Sequence, residues 1–360
     1  MNKFIKVLVV VGNRPQFIKH ASVSKELGKV FTQILVHTGQ HYDYNLSQSF
    51  FNELKIPEPN FNLEVGSGTH CWQISKIMIK LEKIILEEKP TFLIVYGDTN
   101  STVAGAIVSA KNNIPLVHIE AGLREFNRKI PEEINKLITD IITNYYFCPT
   151  KVAVDNLYKM GINENVYNVG DVGIDLISEN WNKIKKNDKI LKKFNLKKRK
   201  YYFVTCHRAS NTDNISNLIE IISSFKYINS NIIFSIHPRT REIIDRNDLN
   251  RLLKLDNLKI VSPLGFFDTQ TLIKYAKMVL TDSGGIIKEA YFYKIPIIII
   301  DTQTEWLETV QEGWSCIAGP NKNKILEKIK NFKNPSIHTN FLGNGKASKK
   351  IKDILKHEFC

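Results

Sequence analysis

Short apolar runs alternate with amphipathic stretches along nearly the whole chain. Residues 4–11 form a β-branched run, and residues 15–27 then carry apolar positions at helical spacing. The same reading predicts strands over 33–37, 92–96, 116–119 and 145–148, with helices over 71–88, 101–112 and 131–144 between them. Lys89-Pro90 ends the long helix, because the residue before a proline is driven out of the helical region. After a basic stretch the rhythm restarts, with strands over 202–205, 231–236, 259–261, 278–281 and 296–300 and a helix over 215–228. Runs that are apolar throughout, rather than alternating, mark strands buried on both faces, and helix–strand alternation marks a parallel sheet covered on both sides. The fold class is therefore α/β, with two Rossmann-like doubly wound domains. The first spans 1–172 and is joined by a C-terminal helix over 346–360; the second spans 173–345. Two such domains facing a central cleft would present the carboxyl ends of both sheets to it, where open α/β folds bind ligands.

Composition adds exclusions. With 43% hydrophobic and 24% charged residues in 360, the chain has the make-up of a soluble globular protein rather than a disordered one. The apolar core at 7–11 is too short for a signal peptide and runs into Gly12-Asn13-Arg14-Pro15, so it reads as a first strand. No aliphatic run approaches the roughly 20 residues needed to cross a bilayer, so no membrane partner is expected. Five scattered cysteines without a Cys-x-x-Cys pair point to a reducing, cytoplasmic setting, with neither a disulfide framework nor a metal site. The net charge of +14 is concentrated: residues 183–200 carry +9 and residues 322–356 carry +8, leaving −3 for the rest. These segments show little aromatic interleaving and no nucleic-acid-binding motif, so they read as solvated faces or connectors, and no nucleic-acid partner is expected.

Six polar clusters each follow a predicted strand directly. In the first, Arg14 and Lys19 bring positive charge to a helix start, where backbone N–H groups already favour anions. In the second, Gly97-Asp98-Thr99, Asp98 is either a helix N-cap or a carboxylate presented to a ligand. The third places Glu120 at the end of a buried strand and Glu132-Glu133 at a helix start, which suits an acid/base pair or an ion-pair network with Arg124 or Arg128. His207-Arg208 and His237-Pro238 form the fourth and fifth, each histidine placed for a phosphate, a proton or a structural hydrogen bond. The sixth, Thr281-Asp282-Ser283-Gly284-Gly285 before a helix, allows backbone N–H groups to approach an oxyanion closely, with Glu289 one turn further in, placed for a ribose. No Gly-x-Gly-x-x-Gly dinucleotide fingerprint is present.

Taken in order, these blocks, together with His37-Thr38-Gly39-Gln40-His41, closely resemble the non-hydrolysing UDP-N-acetylglucosamine 2-epimerase family from residue 7 to about 315. The resemblance implies two Rossmann domains in the arrangement shared with one large class of glycosyltransferases (GT-B-like), a UDP-sugar substrate, usually a homodimer, and no cofactor. It implies removal of the C2 proton, expulsion of UDP to give a bound glycal, and re-addition with inverted C2, in the service of surface polysaccharide synthesis. By resemblance Asp98, Glu120 and Glu132 are the acid/base carboxylates. His207 assists at the leaving diphosphate with Arg14 and Lys19, and His237 also contacts substrate. Ser283, Gly284 and Gly285 cradle phosphate, Glu289 holds the ribose, and Gln40 and His41 match an allosteric motif of part of the family.

Departures from the family pattern bear on substrate. Lys136 stands where arginine is usual, keeping charge but losing the guanidinium fork, and Asp301-Thr302 replaces a frequent Arg-Asp. Thr304-Glu305-Trp306-Leu307-Glu308, Gly313-Trp314 and Phe126-Asn127 look more like the branch acting on UDP-2,3-diacetamido-2,3-dideoxyglucuronate. That substrate is the alternative to UDP-N-acetylglucosamine; a glycosyltransferase of the same architecture is the alternative of another class.

Overall fold

The computed structural model describes residues 5–39 and 53–360. The chain divides into two units, Met1–Glu179 with Asn340–Cys360, and Asn180–Thr339.

In the first unit, β1 (Lys6–Val11), β2 (Thr32–His37), β3 (Phe61–Asn62), β4 (Phe92–Tyr96), β5 (Leu116–Ile119), β6 (Tyr145–Cys148) and β7 (Val166–Asn168) form one sheet in the order β3-β2-β1-β4-β5-β6-β7. Every pairing is parallel, so each crossover carries a helix. β1 shows why its run is apolar throughout. Val7, Val9 and Val11 enter a core with Phe17, Val23 and Leu27 of the helix Arg14–Leu27, while Leu8 and Val10 face Ile77, Leu81 and Ile85 of the helix His70–Glu88. The strand order reverses between β1 and β4, which makes their carboxyl ends the switch point of this sheet.

The second unit repeats the scheme. β8 (Tyr201–Thr205), β9 (Asn231–Ser235), β10 (Leu258–Val261), β11 (Met278–Thr281), β12 (Ile297–Ile299) and β13 (Ser315–Ile317) run parallel in the order β10-β9-β8-β11-β12-β13. Its switch point lies between β8 and β11. Three short edge strands, β3, β7 and β13, were not predicted; two or three residues are too few for a readable period.

The second unit begins at Asn180, whereas the sequence pattern placed the boundary at 172/173. The helix Val172–Glu179 stays with the first unit because Ser22 donates to the Val172 carbonyl at 2.9 Å and Lys25 pairs with Glu179 at 2.9 Å. Asp175 on the same helix accepts the N–H groups of Ala347 (3.0 Å) and Ser348 (2.6 Å), capping the C-terminal helix Ala347–Phe359. That helix buries Ala347, Ile351 and Leu355 in the first core.

The basic stretch is folded onto the second unit. Its helices Trp181–Lys186 and Lys189–Lys193 bury Ile184, Ile190 and Leu191. Lys198 lies over the Tyr275 ring (4.1 Å) and Lys183 over Phe267 (5.4 Å), so distant segments supply aromatic partners that the local sequence lacks. Among the described residues, no helix is long and apolar enough to cross a membrane.

Candidate active site

In the first unit the polar residues gather at the carboxyl ends of β1, β4 and β5. Gly12 follows β1 directly, and a Cβ there would lie 2.0 Å from Ser101 Oγ and 2.6 Å from Thr38 Oγ1, so only glycine fits. Asn13 then caps the helix Arg14–Leu27, its side chain accepting from the Gln16 N–H at 3.2 Å. Gln16 is buried and donates from Nε2 to the Tyr96 carbonyl (2.7 Å) and to Thr99 Oγ1 (3.0 Å), which ties this helix start to the end of β4. Arg14 is half-buried beside it. One turn on, Lys19 forms an ion pair with Glu120, so the lysine expected beside a diphosphate is set against a carboxylate.

Asp98 is not the helix cap. Thr99 caps the helix Asn100–Lys111 in a reciprocal capping box with Thr102, which leaves the Asp98 carboxylate a third exposed and 3.8 Å from the buried Lys136. Gly97 has φ +61°, and a Cβ on it would meet Glu120 Oε2 at 3.1 Å and Lys19 Nζ at 3.2 Å. The Glu120–Lys19 pair therefore lies directly against the turn that carries Asp98. Glu120 itself adopts φ +73°, a left-handed conformation that costs a non-glycine residue about 1 kcal/mol or more. A local strain of this kind, at a carboxylate paired with a lysine, is a common mark of functional sites.

Glu120 takes Lys19 as an ion-pair partner, while Arg124 pairs with the fully buried Asp140 at 2.6 Å. Asp140 also meets His118 Nδ1 at 2.6 Å and accepts the Gly122 N–H at 3.2 Å, while His118 Nε2 lies 2.8 Å from the Gly97 carbonyl. Burial pushes the Asp140 carboxyl up, but the charges and hydrogen bonds of His118 and Arg124 outweigh it and hold the group below its ordinary value. At the start of the helix Pro131–Ile141, Glu132 is exposed, whereas Glu133 is buried and accepts the N–H groups of Glu125 (2.9 Å) and Phe126 (3.1 Å). The two adjacent acids thus have different surroundings: Glu133 holds a loop, and Glu132 is open to solvent. Gln40 and His41 lie outside the described residues.

In the second unit the organiser is Asp282, the first residue after β11, which sequence reading passed over as part of the glycine motif. It is 1% exposed and accepts the N–H groups of His207 (2.9 Å) and Arg208 (2.9 Å) and the Asn211 amide (3.0 Å). Its Oδ1 is 3.4 Å from His207 Nδ1. The His207 and His237 rings lie 5.4 Å apart, and His237 Nδ1 accepts the Arg239 N–H at 3.2 Å, capping the helix Pro238–Arg246. Asp301, buried, is 3.5 Å from Arg208 Nη1, so the loop that departs from the family pattern contributes an acid that steers an arginine. The helix Gly284–Phe292 begins at Ser283, whose side chain makes no cap bond to it. Its first N–H groups are thus of the kind that bind anions. A Cβ on Gly284 would lie 2.7 Å from Glu305 Oε1 and 3.2 Å from Trp306 Nε1, so this start is closely walled. Glu289 is half-buried one turn inside the helix.

Asp140 escaped the sequence reading, and Gln16, Asn135 and Asp282 stood within its motifs without a role of their own. The one signal that could have found Asp140 is its place on the apolar face of an amphipathic helix, where a charge requires a partner.

Carboxylates set beside lysines at strand ends, and a glycine-rich helix start without a side-chain cap, are residue arrangements of the kind that enzymes acting on nucleotide sugars use. The chain belongs to the UDP-N-acetylglucosamine 2-epimerase family, whose sequence profile matches residues 25–356. It is 49% identical to a UDP-N-acetylglucosamine 2-epimerase homolog of Methanococcus maripaludis, over 98% of this chain and 100% of that protein. It is 38% identical to the UDP-2,3-diacetamido-2,3-dideoxy-D-glucuronate 2-epimerase of Pseudomonas aeruginosa, over 98% of this chain and 99% of that protein. The crystal structure of Methanocaldococcus jannaschii UDP-GlcNAc 2-epimerase in complex with UDP-GlcNAc and UDP matches with a TM-score of 0.93 at 39% identity, covering 98% of this chain and 100% of that one.

Proposed function

We propose that this protein is a non-hydrolysing 2-epimerase converting UDP-N-acetylglucosamine to UDP-N-acetylmannosamine. The observation that carries the reading is the Glu120–Lys19 pair set against Gly97, the residue before Asp98, whose own carboxylate lies 3.8 Å from Lys136. A C2 proton is a weak acid, so its removal calls for a positioned carboxylate. One carboxylate takes that proton, the C1–O bond to UDP breaks, and C1 and C2 become doubly bonded in a glycal. UDP then re-forms the bond at C1 while an acid returns a proton to the opposite face of C2. Asp98, Glu120 and Glu132 are the acid/base candidates. The same UDP that leaves returns, and one proton is removed and one restored, so the reaction is balanced without a redox cofactor or metal.

The departing diphosphate gathers negative charge, which His207, Arg14, the Ser283 hydroxyl and the N–H groups of Gly284 and Gly285 are suited to receive, the Ser283 N–H itself donating to Thr281 Oγ1 at 2.9 Å. His237 lines the same group, Glu289 accepts from the ribose, and Lys19, ion-paired with Glu120, assists at the diphosphate with Arg14. Gln40 and His41 belong to the reading as a regulatory pair.

Exposed Trp72, Ile79 and Leu86 recur every seven residues on the helix His70–Glu88, and Ile134, Ile138 and Ile141 are exposed on the helix Pro131–Ile141. These apolar stripes support a homodimer. All five cysteines are free thiols, in keeping with a cytoplasmic protein.

The test is incubation with UDP-N-acetylglucosamine in deuterated water. The expected product is UDP-N-acetylmannosamine carrying deuterium at C2, without added acceptor; epimerisation lacking solvent exchange rules out the elimination. Running the 3-acetamido uronic acid derivative in parallel tests the second substrate reading, which the Pseudomonas aeruginosa relative favours. A tenfold preference either way, about 1.4 kcal/mol, decides between them.

A further inference from the structure

We propose that His118 is the positioning residue that fixes Asp98 for proton transfer, acting through the carbonyl of Gly97; this rests on the epimerase reading above. His118 is fully buried at β5, and its Nε2 lies 2.8 Å from the Gly97 oxygen. A carbonyl only accepts, so Nε2 carries a proton and donates it. Nδ1 lies 2.6 Å from Asp140 Oδ1, and an ionised carboxylate likewise only accepts, so Nδ1 donates as well. Held at both nitrogens, the ring cannot turn without losing one of the two bonds.

The Gly97 oxygen and the Asp98 nitrogen belong to one planar peptide, so the His118 bond sets the orientation of the chain on the N-terminal side of Asp98. Asn135 Nδ2 donates to the Asp98 carbonyl at 2.9 Å and sets the next peptide plane. With both flanking planes fixed, the direction in which the Asp98 side chain leaves the backbone is fixed too. The clamp matters because Gly97, at φ +61°, lacks the Cβ that would otherwise restrict its backbone. The His118 bond supplies the carbonyl end of this peptide plane with a fixed partner, and Asp98 is oriented with it. A buried ion network of the His118–Asp140–Arg124 kind is a weak source of stability, since desolvation offsets most of the Coulomb gain. Here it supplies geometry: the same Asp140 carboxylate grips the Gly122 N–H (3.2 Å), so one assembly holds the chain beside both Asp98 and Glu120.

Two substitutions in the full-length protein separate this role from a structural one. In His118→Gln the amide nitrogen can occupy the Nε2 position and still donate to Gly97. In His118→Asn it occupies the Nδ1 position, keeping Asp140 but falling short of Gly97. Deuterium incorporation at C2 from deuterated water is followed with UDP-N-acetylglucosamine, with UDP binding and thermal melting as checks on folding. His118→Asn is expected to lower kcat about 100-fold with KM within about threefold, and His118→Gln to stay within about tenfold of wild type. Equal losses in the two variants, or a loss confined to KM, overturn the proposal. Should the variants not fold, the nitrogen spectrum of histidine-labelled wild-type protein decides. A protonated Nε2 on His118 at neutral pH supports the clamp, and an unprotonated one overturns it. Wild-type protein that exchanges no C2 hydrogen refutes the epimerase reading itself, an outcome distinct from active wild type with indistinguishable variants.

Discussion

Each unit is built around one buried carboxylate, Asp140 in the first and Asp282 in the second, and their partners differ. Asp140 sits between two buried side chains, the His118 imidazole and the Arg124 guanidinium, and accepts the Gly122 backbone N–H. Its charge is neutralised inside the fold, and the result is a closed floor that shapes the turns bearing Asp98 and Glu120. Asp282 receives mostly amide N–H groups, from His207, Arg208 and Asn211. The side chains it organises, His207 and Arg208, are partly exposed. On the proposed reading, one topology is fitted for two tasks. A proton-transfer site needs carboxylates in set directions with their charge balanced nearby, while an anion site needs cations and N–H dipoles turned outward.

The sharpest way to break this contrast is one substitution on each side. Asp98→Asn is expected to lower kcat about 10³-fold while UDP affinity stays within about threefold, because a positioned acid or base contributes roughly 10²–10⁴. Gly284→Val, which puts a branched side chain where even a Cβ would be 2.7 Å from Glu305 Oε1, is expected to weaken UDP binding at least tenfold, about 1.4 kcal/mol. Calorimetric titration with UDP reads both; similar losses of affinity would refute the division of labour.

A second comparison is energetic. Asp140→Asn strips a charge from a buried network and is expected to cost about 3–5 kcal/mol in urea unfolding at pH 7. The Asp140 carboxyl is held below its ordinary value in the folded state, so its contribution is fully present above the unfolded value and fades as pH falls through the folded one. The gap between wild type and variant should therefore narrow below about pH 4. A gap that widens on acidification contradicts the ionised assignment.

The smallest effect uses two cysteines as reporters. Burial, and next the charge of Asp140, pushes the Cys148 thiol well up; burial, and next Asp282, does the same for Cys206. Alkylation of the native protein should label the exposed Cys71 and Cys360 and spare Cys148 and Cys206 until the chain unfolds, as peptide mass mapping can check. Native labelling of Cys206 ahead of Cys148 would show the second unit's floor to be the looser.

Periodicity and residue type made the parallel sheets, the strand ends and the clusters at Asp98, Glu120, His207 and Ser283-Gly284-Gly285 readable from the chain alone. The reason is that β-branched runs and helical spacing are local properties, and ligand-facing loops follow strands by topology. Tertiary structure decided the rest. That Lys19 would meet Glu120 across 101 positions depended on distant partners, while the Thr99 cap and the burial of Glu133 were set by turns of three to eight residues whose backbone path only the folded chain shows. The roles of Asp140 and Asp282 are of the same kind, since a buried charge is defined by the groups that surround it and those come together only when the sheet has formed.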